Sequence, residues 1–480
     1  MIPFGPWAPD QPYLEGALAD AVNVIPYGEK YRALPTASPI SVSAVAGTVV
    51  GGFGARLVDG NAQVYVGTTT ALNQRNGATW TDVSVMGGYS LTTGRWEFTQ
   101  YGSDVYAISL ESVLQKQTGG VSAFAAVSGG PKAACIANVR QWVVVGDVDE
   151  SGTLVPHKVR WCQINDPDSW TISEAAQSGS QLLDAKDGRV MSIKGGEYGL
   201  IFQQHAITRM VYAGAPIVWQ FDKIDSRNGC EVAGSAVQVG RTTYFLSHDG
   251  WRMTDGSGES VNIGDGLVNN WFRSTLDTGY KSKIKGAYNP DWRCVVWVFP
   301  STNGGGANDS MLLFHVGKQR WAHGSYGAQV IFEGATSSVT LEGLDAYFAT
   351  LEDVSPSMDD PFWVGGEPKF LGVSSGLLEA YDNTPGNALL ETYETEPATG
   401  SKTRVVAVQP VIDGTTTVQV GYRNTPDDTI AYTPAGVVNT RTGVANFRHV
   451  SRWQRYRFNI SGEFAQAVGY NVNGKPAGIV

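Results

Sequence analysis

Apolar residues along this chain run in fours and fives or alternate with polar ones. They rarely recur at the i, i+3, i+4, i+7 spacing of an amphipathic helix. The runs are "VYVG" from Val64, "VYAI" from Val105, "WVVV" from Trp142, "GLIF" from Gly199, "TYFL" from Thr243, "VVWVF" from Val295 and "AYFAT" from Ala346. Each reads as a short apolar strand. Their starts lie 37 to 57 residues apart, which brackets the roughly 40–50 residues of a four-stranded propeller blade. Most are followed by a polar turn and a second strand that closes on an aromatic ring, at Trp80, Trp161 and Trp170, Trp251 and Trp321. Gly, Asn and Asp supply the turn geometry, and a bulky ring fills the gap between neighbouring sheets. The pattern predicts an all-β fold, a six- or seven-bladed β-propeller.

One segment breaks the pattern. In "DGLVNNWFRSTL", Asp265 to Leu276, Leu267, Val268, Trp271 and Phe272 share a helical face and Asp265 stands as N-cap. A short packing helix between blades is expected there.

Two flanks lie outside the repeat. Residues 1–45 are rich in Pro and aromatic rings and read as an extended N-terminal strap. Residues 46–385 hold the repeat. From 386 to 480 the texture changes to Thr/Val alternation in "TRVVAVQPVI" and "TTVQVGYR", followed by "NFRHVSRWQRYRFNISG". That part reads as a separate antiparallel, sandwich-like β domain.

Composition agrees and narrows the function. The chain has 480 residues, 42% hydrophobic and only 17% charged, with 58 Gly and 22 Pro. That is ample for buried cores and many turns, and excludes disorder as the main state. A net charge of −10 argues against a whole surface that grips nucleic acid, and leaves open a channel through which DNA slides without sticking. The four cysteines have no CxxC spacing, so neither a disulfide framework nor a zinc site is expected. The N-terminus lacks a basic and apolar leader, and no apolar stretch reaches membrane length.

Candidate chemistry is sparse. "NGATW" resembles a sialidase Asp-box turn, yet Arg75 stands where the aspartate belongs, and no arginine, tyrosine and acid set is identifiable by spacing. Trp80 is then a structural closure, whose loss to Ala costs roughly 3–5 kcal/mol if the ring is fully buried. "GDVDESG" offers Asp147, Asp149 and Glu150 but lacks the later acidic ligand of a calcium loop. "GGFG" (51–54) and "NGGGAND" (303–309) do not lead into a Lys-Ser/Thr helix start, so phosphate cradling is not expected. The six histidines show no metal spacing and no GxSxG elbow is present. No catalytic, metal or cofactor residues are assigned, and the chain is not expected to be an enzyme. One basic cluster stands out: Arg448, Arg452, Arg455 and Arg457. On a strand, Arg455 and Arg457 share a face with Trp453, while Tyr456 and Phe458 point the other way. Two readings stay open, an inter-subunit or DNA-facing patch, and an edge strand whose charges discourage aggregation.

Taken together, "NVIPYGEKYRALPTASPI" (23–40), "GGEYGLIFQQHAITRMVYAG" (195–214), "NGCEVAGSAVQVGRTTYFLSHDGWRMTDGSGES" (228–260) and the Arg-rich C-terminal strand resemble, in order, the tail hub proteins of short-tailed bacteriophages. These are also called tail nozzle or packaged-DNA stabilisation proteins, components of the head-to-tail connector. The resemblance implies a structural virion protein that assembles in the bacterial host as a homohexameric ring in the virion tail, below the portal and its adaptor ring. Its partners would be a tail needle or plug and fibres or spikes. Double-stranded DNA would cross the lumen during ejection without sequence-specific binding, and no small-molecule substrate is implied. The sequence lacks the long insertion domain of the best-known members. The alternative expectation is a glycan-binding or receptor-binding phage tail propeller of the tail tip or fibre, and behind it a sialidase-like glycoside hydrolase.

Overall fold

A computed structural model describes the chain except for residues 13, 15, 58–61, 336–349, 355, 356, 358–367 and 480. Strands account for 55% of it and helix for 5%, so the fold is all-β. Among the described residues, seven four-stranded antiparallel units follow one another around a common axis. They cover residues 49–82, 97–126, 132–182, 190–225, 237–262, 285–324 and 330–383. The second and third are joined by a single pairing of Val113 with Lys132. The first strand of the seventh unit, Val330–Ala335, packs beside that of the first, Val49–Arg56, and closes the ring. The molecule is a β-propeller with a C-terminal β domain.

Six of the seven apolar runs are the second strands of blades one to six, for example Ala62–Thr68, Trp142–Glu150 and Cys294–Pro300. Second strands have neighbours on both sides and sheets above and below, so they admit no polar alternation. All seven residues of Cys294–Pro300 are buried. The seventh run, at Ala346, lies outside the described residues, and the corresponding strand of blade seven is Pro368–Ser374.

The glycines of "GGFG" are explained by close approach. A Cβ on Gly52 would stand 2.4 Å from the Phe332 ring, and one on Gly54 would stand 2.6 Å from the Glu333 carbonyl of blade seven. Glycine lets the first and last blades meet.

Residues 1–45 carry five strands: β1 (Ile2–Pro3), β2 (Leu18–Val22), β3 (Val24–Tyr27), β4 (Lys30–Ala33) and β5 (Thr36–Pro39). β5 pairs with Leu377–Asn383 and supplies the outer strand of blade seven. The two ends of the propeller are thus held in one sheet. β1, β3 and β4 join one sheet of the C-terminal domain, with Ala467–Ile479, Ser401–Ile412 and Ala445–Ser451. β2 pairs antiparallel with Ala388–Thr392 in the other sheet and, through Val22 and His323, parallel with the last strand of blade six. A ten-stranded sheet therefore runs from blade six into the C-terminal domain. The domain's own core gathers Phe4, Val405, Val408, Val418, Val420, Phe458 and Tyr470 from both of its sheets.

The helix is shorter than the sequence suggests. α1 spans Asn269–Thr275, and Asp265 does not cap it. Gly266 adopts φ +62, and the amides of Leu267, Val268 and Asn269 all donate to the Gly264 carbonyl, forming a turn before the helix. The cap comes from the N-terminal arm instead: the Asp10 carboxylate accepts from the amides of Asn270 at 2.7 Å and Trp271 at 3.0 Å. Trp271 then stacks edge-on against Trp7 at 4.7 Å.

Candidate functional site

The Arg-rich strand, Trp453–Ser461, alternates half-buried and buried residues, with Trp453, Arg455 and Arg457 on one face and Tyr456 and Phe458 in the core. It lies between Ala388–Thr392 and Thr415–Arg423, so it is an interior strand with no edge to protect. Both Arg455 and Arg457 reach the carboxylate of Glu391, at 2.9 and 2.8 Å, whose side chain is only 4% accessible. The Arg457 guanidinium also stacks 4.0 Å over the Tyr432 ring. Arg452 pairs with Glu396 at 2.6 Å, next to an Arg423–Glu394 pair at 2.5 Å. Arg448 sits on Ala445–Ser451 in the opposite sheet, exposed. The four arginines do not form one patch. Three are committed to glutamates, and such pairing fixes the sheet rather than leaving charge for a phosphate.

The aromatic closures take different places. Trp251 lies on the third strand of blade five and is fully buried. Trp80 lies on the fourth strand of blade one, half-buried against the apolar cluster between blades one and seven. Gly77, before it, has φ +58 as its turn requires. The Asp-box position, Arg75, donates to the Gly77 carbonyl at 2.8 Å and to that of Ile40 at 3.3 Å, which ties blade one to the arm. The acidic run is dispersed: Asp147 is buried and bridged to Arg189 at 2.5 Å, while Glu150 pairs with Lys158. Among the described residues no three His, Cys, Asp or Glu side chains gather as metal ligands would.

The gathered charge lies instead on the propeller axis, where sequence reading assigned nothing. Blade two contributes Arg95 and Glu97, joined Nε to Oε1 at 2.7 Å, and Lys285 of blade six approaches the same oxygen at 3.6 Å. Lys194, ending the first strand of blade four, completes the group. Arg95 and Glu97 are 29% and 30% accessible, on the side that faces the cavities within the ring of first strands. Burial alone would raise the Glu97 carboxyl. Lys285, Arg95 and Lys194 outweigh it and hold the group at about 2. Burial pushes the Lys194 and Lys285 ammoniums down, with Glu97 opposing.

The cluster separates two cavities. One, of about 270 Å³, is lined by Arg95, Asp147, Arg189 and Glu111. Glu111 accepts from the amides of Thr92, Thr93 and Gly94, which holds its carboxyl at about 2 and fixes the turn that aims Arg95 inward. The other, of about 410 Å³, lies between Glu97, Lys194, Lys285 and Glu333, with Phe53 and Phe98 stacked 5.8 Å apart on its wall. The short 3₁₀ turn Ala233–Ser235 reaches in and touches both. Near the axis the Cys135 and Cys230 thiols are pushed up by burial to about 12 and about 11, and they donate to the carbonyls of Gly146 and Val232. Neither is a nucleophile at neutral pH. The arrangement can bind charge but has no nucleophile and base in register. A sequence signal existed: "RWEFTQ", "SIKGG" and "KIKGAY" each place a charge at a first strand, where polar side chains can only face the axis.

No protein-family model and no curated protein sequence matches the chain. Similar solved structures include the extracellular domain of the putative one-component system BT4673 from B. thetaiotaomicron (9% identity, 86% of this chain and 47% of that chain, TM-score 0.44). The chain thus spans about half the length of that protein. The Neurospora crassa Pan2 WD40 domain (6% identity, 72% and 96%, TM-score 0.41) and BamB from Moraxella catarrhalis (9%, 75% and 92%, TM-score 0.37) are similar too.

Proposed function

We propose that the chain is a structural ring subunit, the tail hub or nozzle of a short-tailed bacteriophage, and that it carries no catalytic step. The observation that carries this reading is the uninterrupted ten-stranded sheet between blade six and the C-terminal domain, with the N-terminal arm threaded through both. A tail component must pass load and hold register between neighbours. A protein whose two parts share a sheet and a strap meets that need better than one with a hinge between them. Six copies in head-to-tail contact would close into a ring below the portal and adaptor, with needle and fibres attached. The axial cavities, about 270 and 410 Å³, are far too small for a duplex, so DNA would pass between copies. An overall charge of −10 keeps such a lumen from trapping phosphates.

Negative-stain microscopy of the purified protein, alone and with portal and adaptor, tests the reading. A sixfold ring in either sample is expected. A particle that stays near 51.4 kDa by light scattering in both, and whose Tm rises with oligosaccharide, would replace it with a glycan-binding propeller.

A further inference from the structure

One sheet of the C-terminal domain turns a face to solvent that carries positive charge alone. It is built from Ser401–Ile412, Ala445–Ser451 and Ala467–Ile479. Arg404 stands directly opposite Lys475 on one neighbouring strand and Val450 on the other. Lys402 lies two residues before it on the same face, and Arg448 projects from the adjoining strand. Arg404, Arg448, Val450 and Lys475 are exposed, and none of the three strands contains an Asp or Glu. Among the described residues, none of the four cations has an ion pair or a side-chain hydrogen bond. Arg455 and Arg457 on the other sheet are the opposite case, both held by Glu391. Like charges facing each other on neighbouring strands cost stability. The arrangement is therefore unfavourable in the isolated chain and suited to an anionic partner.

The remaining exposed residues of the face, Gln409, Asn446 and Asn473, offer no aromatic ring to stack on a base or to enter a lipid headgroup layer. The chain itself supplies a matching anion. Residues 321–368 are its longest stretch without Lys or Arg, and they contain eight Asp and Glu. Within that stretch Glu352 and Asp353 are exposed, in the connection between Val330–Ala335 and Pro368–Ser374 of blade seven. We propose that the basic face is a subunit contact, which docks on the acidic stretch around Glu352 and Asp353 of a second copy of this chain. Two different surfaces meet in such a contact, the heterologous kind that closes into a ring. The proposal rests on the ring reading above and names the surface that makes the ring. It also agrees with a lumen that lets a duplex move, because an open face of four cations would hold phosphates.

The test is sedimentation velocity of the full chain in about 0.1 and 1 M NaCl, between which the Debye length falls from about 10 to 3 Å. Three variants accompany the parent. The first is Arg404→Glu/Lys475→Glu, and the second adds Glu352→Lys/Asp353→Lys to it. The third, Arg241→Glu/Lys186→Glu, reverses two exposed cations of the propeller as a control. The parent and R241E/K186E are expected to associate at low salt and to come apart at high salt. R404E/K475E should associate about tenfold or more weakly, and the four-site variant, with both signs exchanged, should recover. A parent that is monomeric at low salt overturns the proposal. So does an R404E/K475E that associates like the parent, or a four-site variant that stays dissociated. Should R404E/K475E fail to fold by circular dichroism, Lys402→Gln/Arg448→Gln gives the reading. A labelled DNA duplex is titrated in parallel. If the parent binds it and R404E/K475E does not, with association unchanged, the face belongs to nucleic acid and the proposal falls. Sixfold rings that persist in R404E/K475E leave the tail hub reading standing without this contact. Parent assemblies that never form a ring, even with portal and adaptor, remove the tail hub reading, while the charge exchange still decides the contact.

Discussion

The Trp251 indole is fully enclosed, 4.2 Å from Trp297 and 5.0 Å from Phe272, with Trp321 at 6.4 Å. Its replacement by Ala leaves a cavity that the three surrounding rings cannot collapse into, and a loss of about 3–5 kcal/mol is expected. Trp80 occupies an outer strand and keeps part of its ring in water. The condition for a full cavity cost is not met there, so Trp80→Ala should cost about 1–2 kcal/mol. Urea unfolding of both variants gives the ordering directly. Glu97 makes a second expectation at this scale. Its carboxyl sits at about 2 in the folded protein, below the ordinary 4.5. A depressed pKa means stability that is present above pH 4.5 and lost as pH falls from 4.5 towards 2. The side chain's 30% exposure screens part of it, leaving about 1–3 kcal/mol. Glu97→Gln should therefore be less stable than the parent at pH 7, and the gap between their urea midpoints should close by pH 2 to 3. A constant gap across that range would mean that the Glu97 charge contributes nothing.

Elements differ in how plainly the chain announces them, and the difference is one of environment. Strands such as Trp142–Glu150 and Cys294–Pro300 are apolar throughout because they are covered on both faces. First strands such as Glu97–Tyr101 and Lys285–Asn289 are mixed, because they border the cavities along the axis, and they carry the candidate site. Their charges are ordinary one by one, and only the ring closure brings four of them together. Long-range partners are silent in any local pattern. β5 meets its strand in blade seven with Ser38 paired to Ala380. The α1 cap arrives from Asp10, 260 residues away, while the nearby Asp265 had every local qualification except the Gly266 turn that follows it. The arginines on Trp453–Ser461 were visible as an alternating face. Glu391, which takes the charge of two of them, lies 64 and 66 residues earlier, where nothing marks it as their partner.

At the scale of the whole molecule the first 45 residues are the joint on which both halves depend, and their strands divide the work. β1 to β4 complete the C-terminal domain and join it to blade six, through Val22 and His323 and through the stack of His323 with Trp7 and Trp271 at 4.7 and 4.8 Å. β5 belongs to the propeller alone. Two truncations should therefore behave differently. Removing residues 1–34 strips β1 to β4, uncovers Phe458 and Tyr470 where Phe4 had packed, and leaves blade seven with its outer strand. Limited proteolysis followed by mass spectrometry should then digest the region after residue 386 while a propeller fragment survives. Removing residues 1–45 also takes away β5 and the hydrogen bonds that the Ile40 and Val45 amides donate to the Leu378 and Gly376 carbonyls. That exposes the edge of Leu377–Asn383, so cleavage should extend into blade seven and the ring should open. If the C-terminal region resists protease equally in the full chain and in both truncations, the arm is a passenger. Among the described residues the ten-stranded sheet crosses from blade six to the C-terminal domain only through β2, so that outcome would also mean that neither the sheet nor the Val22–His323 contact is what holds the two parts together.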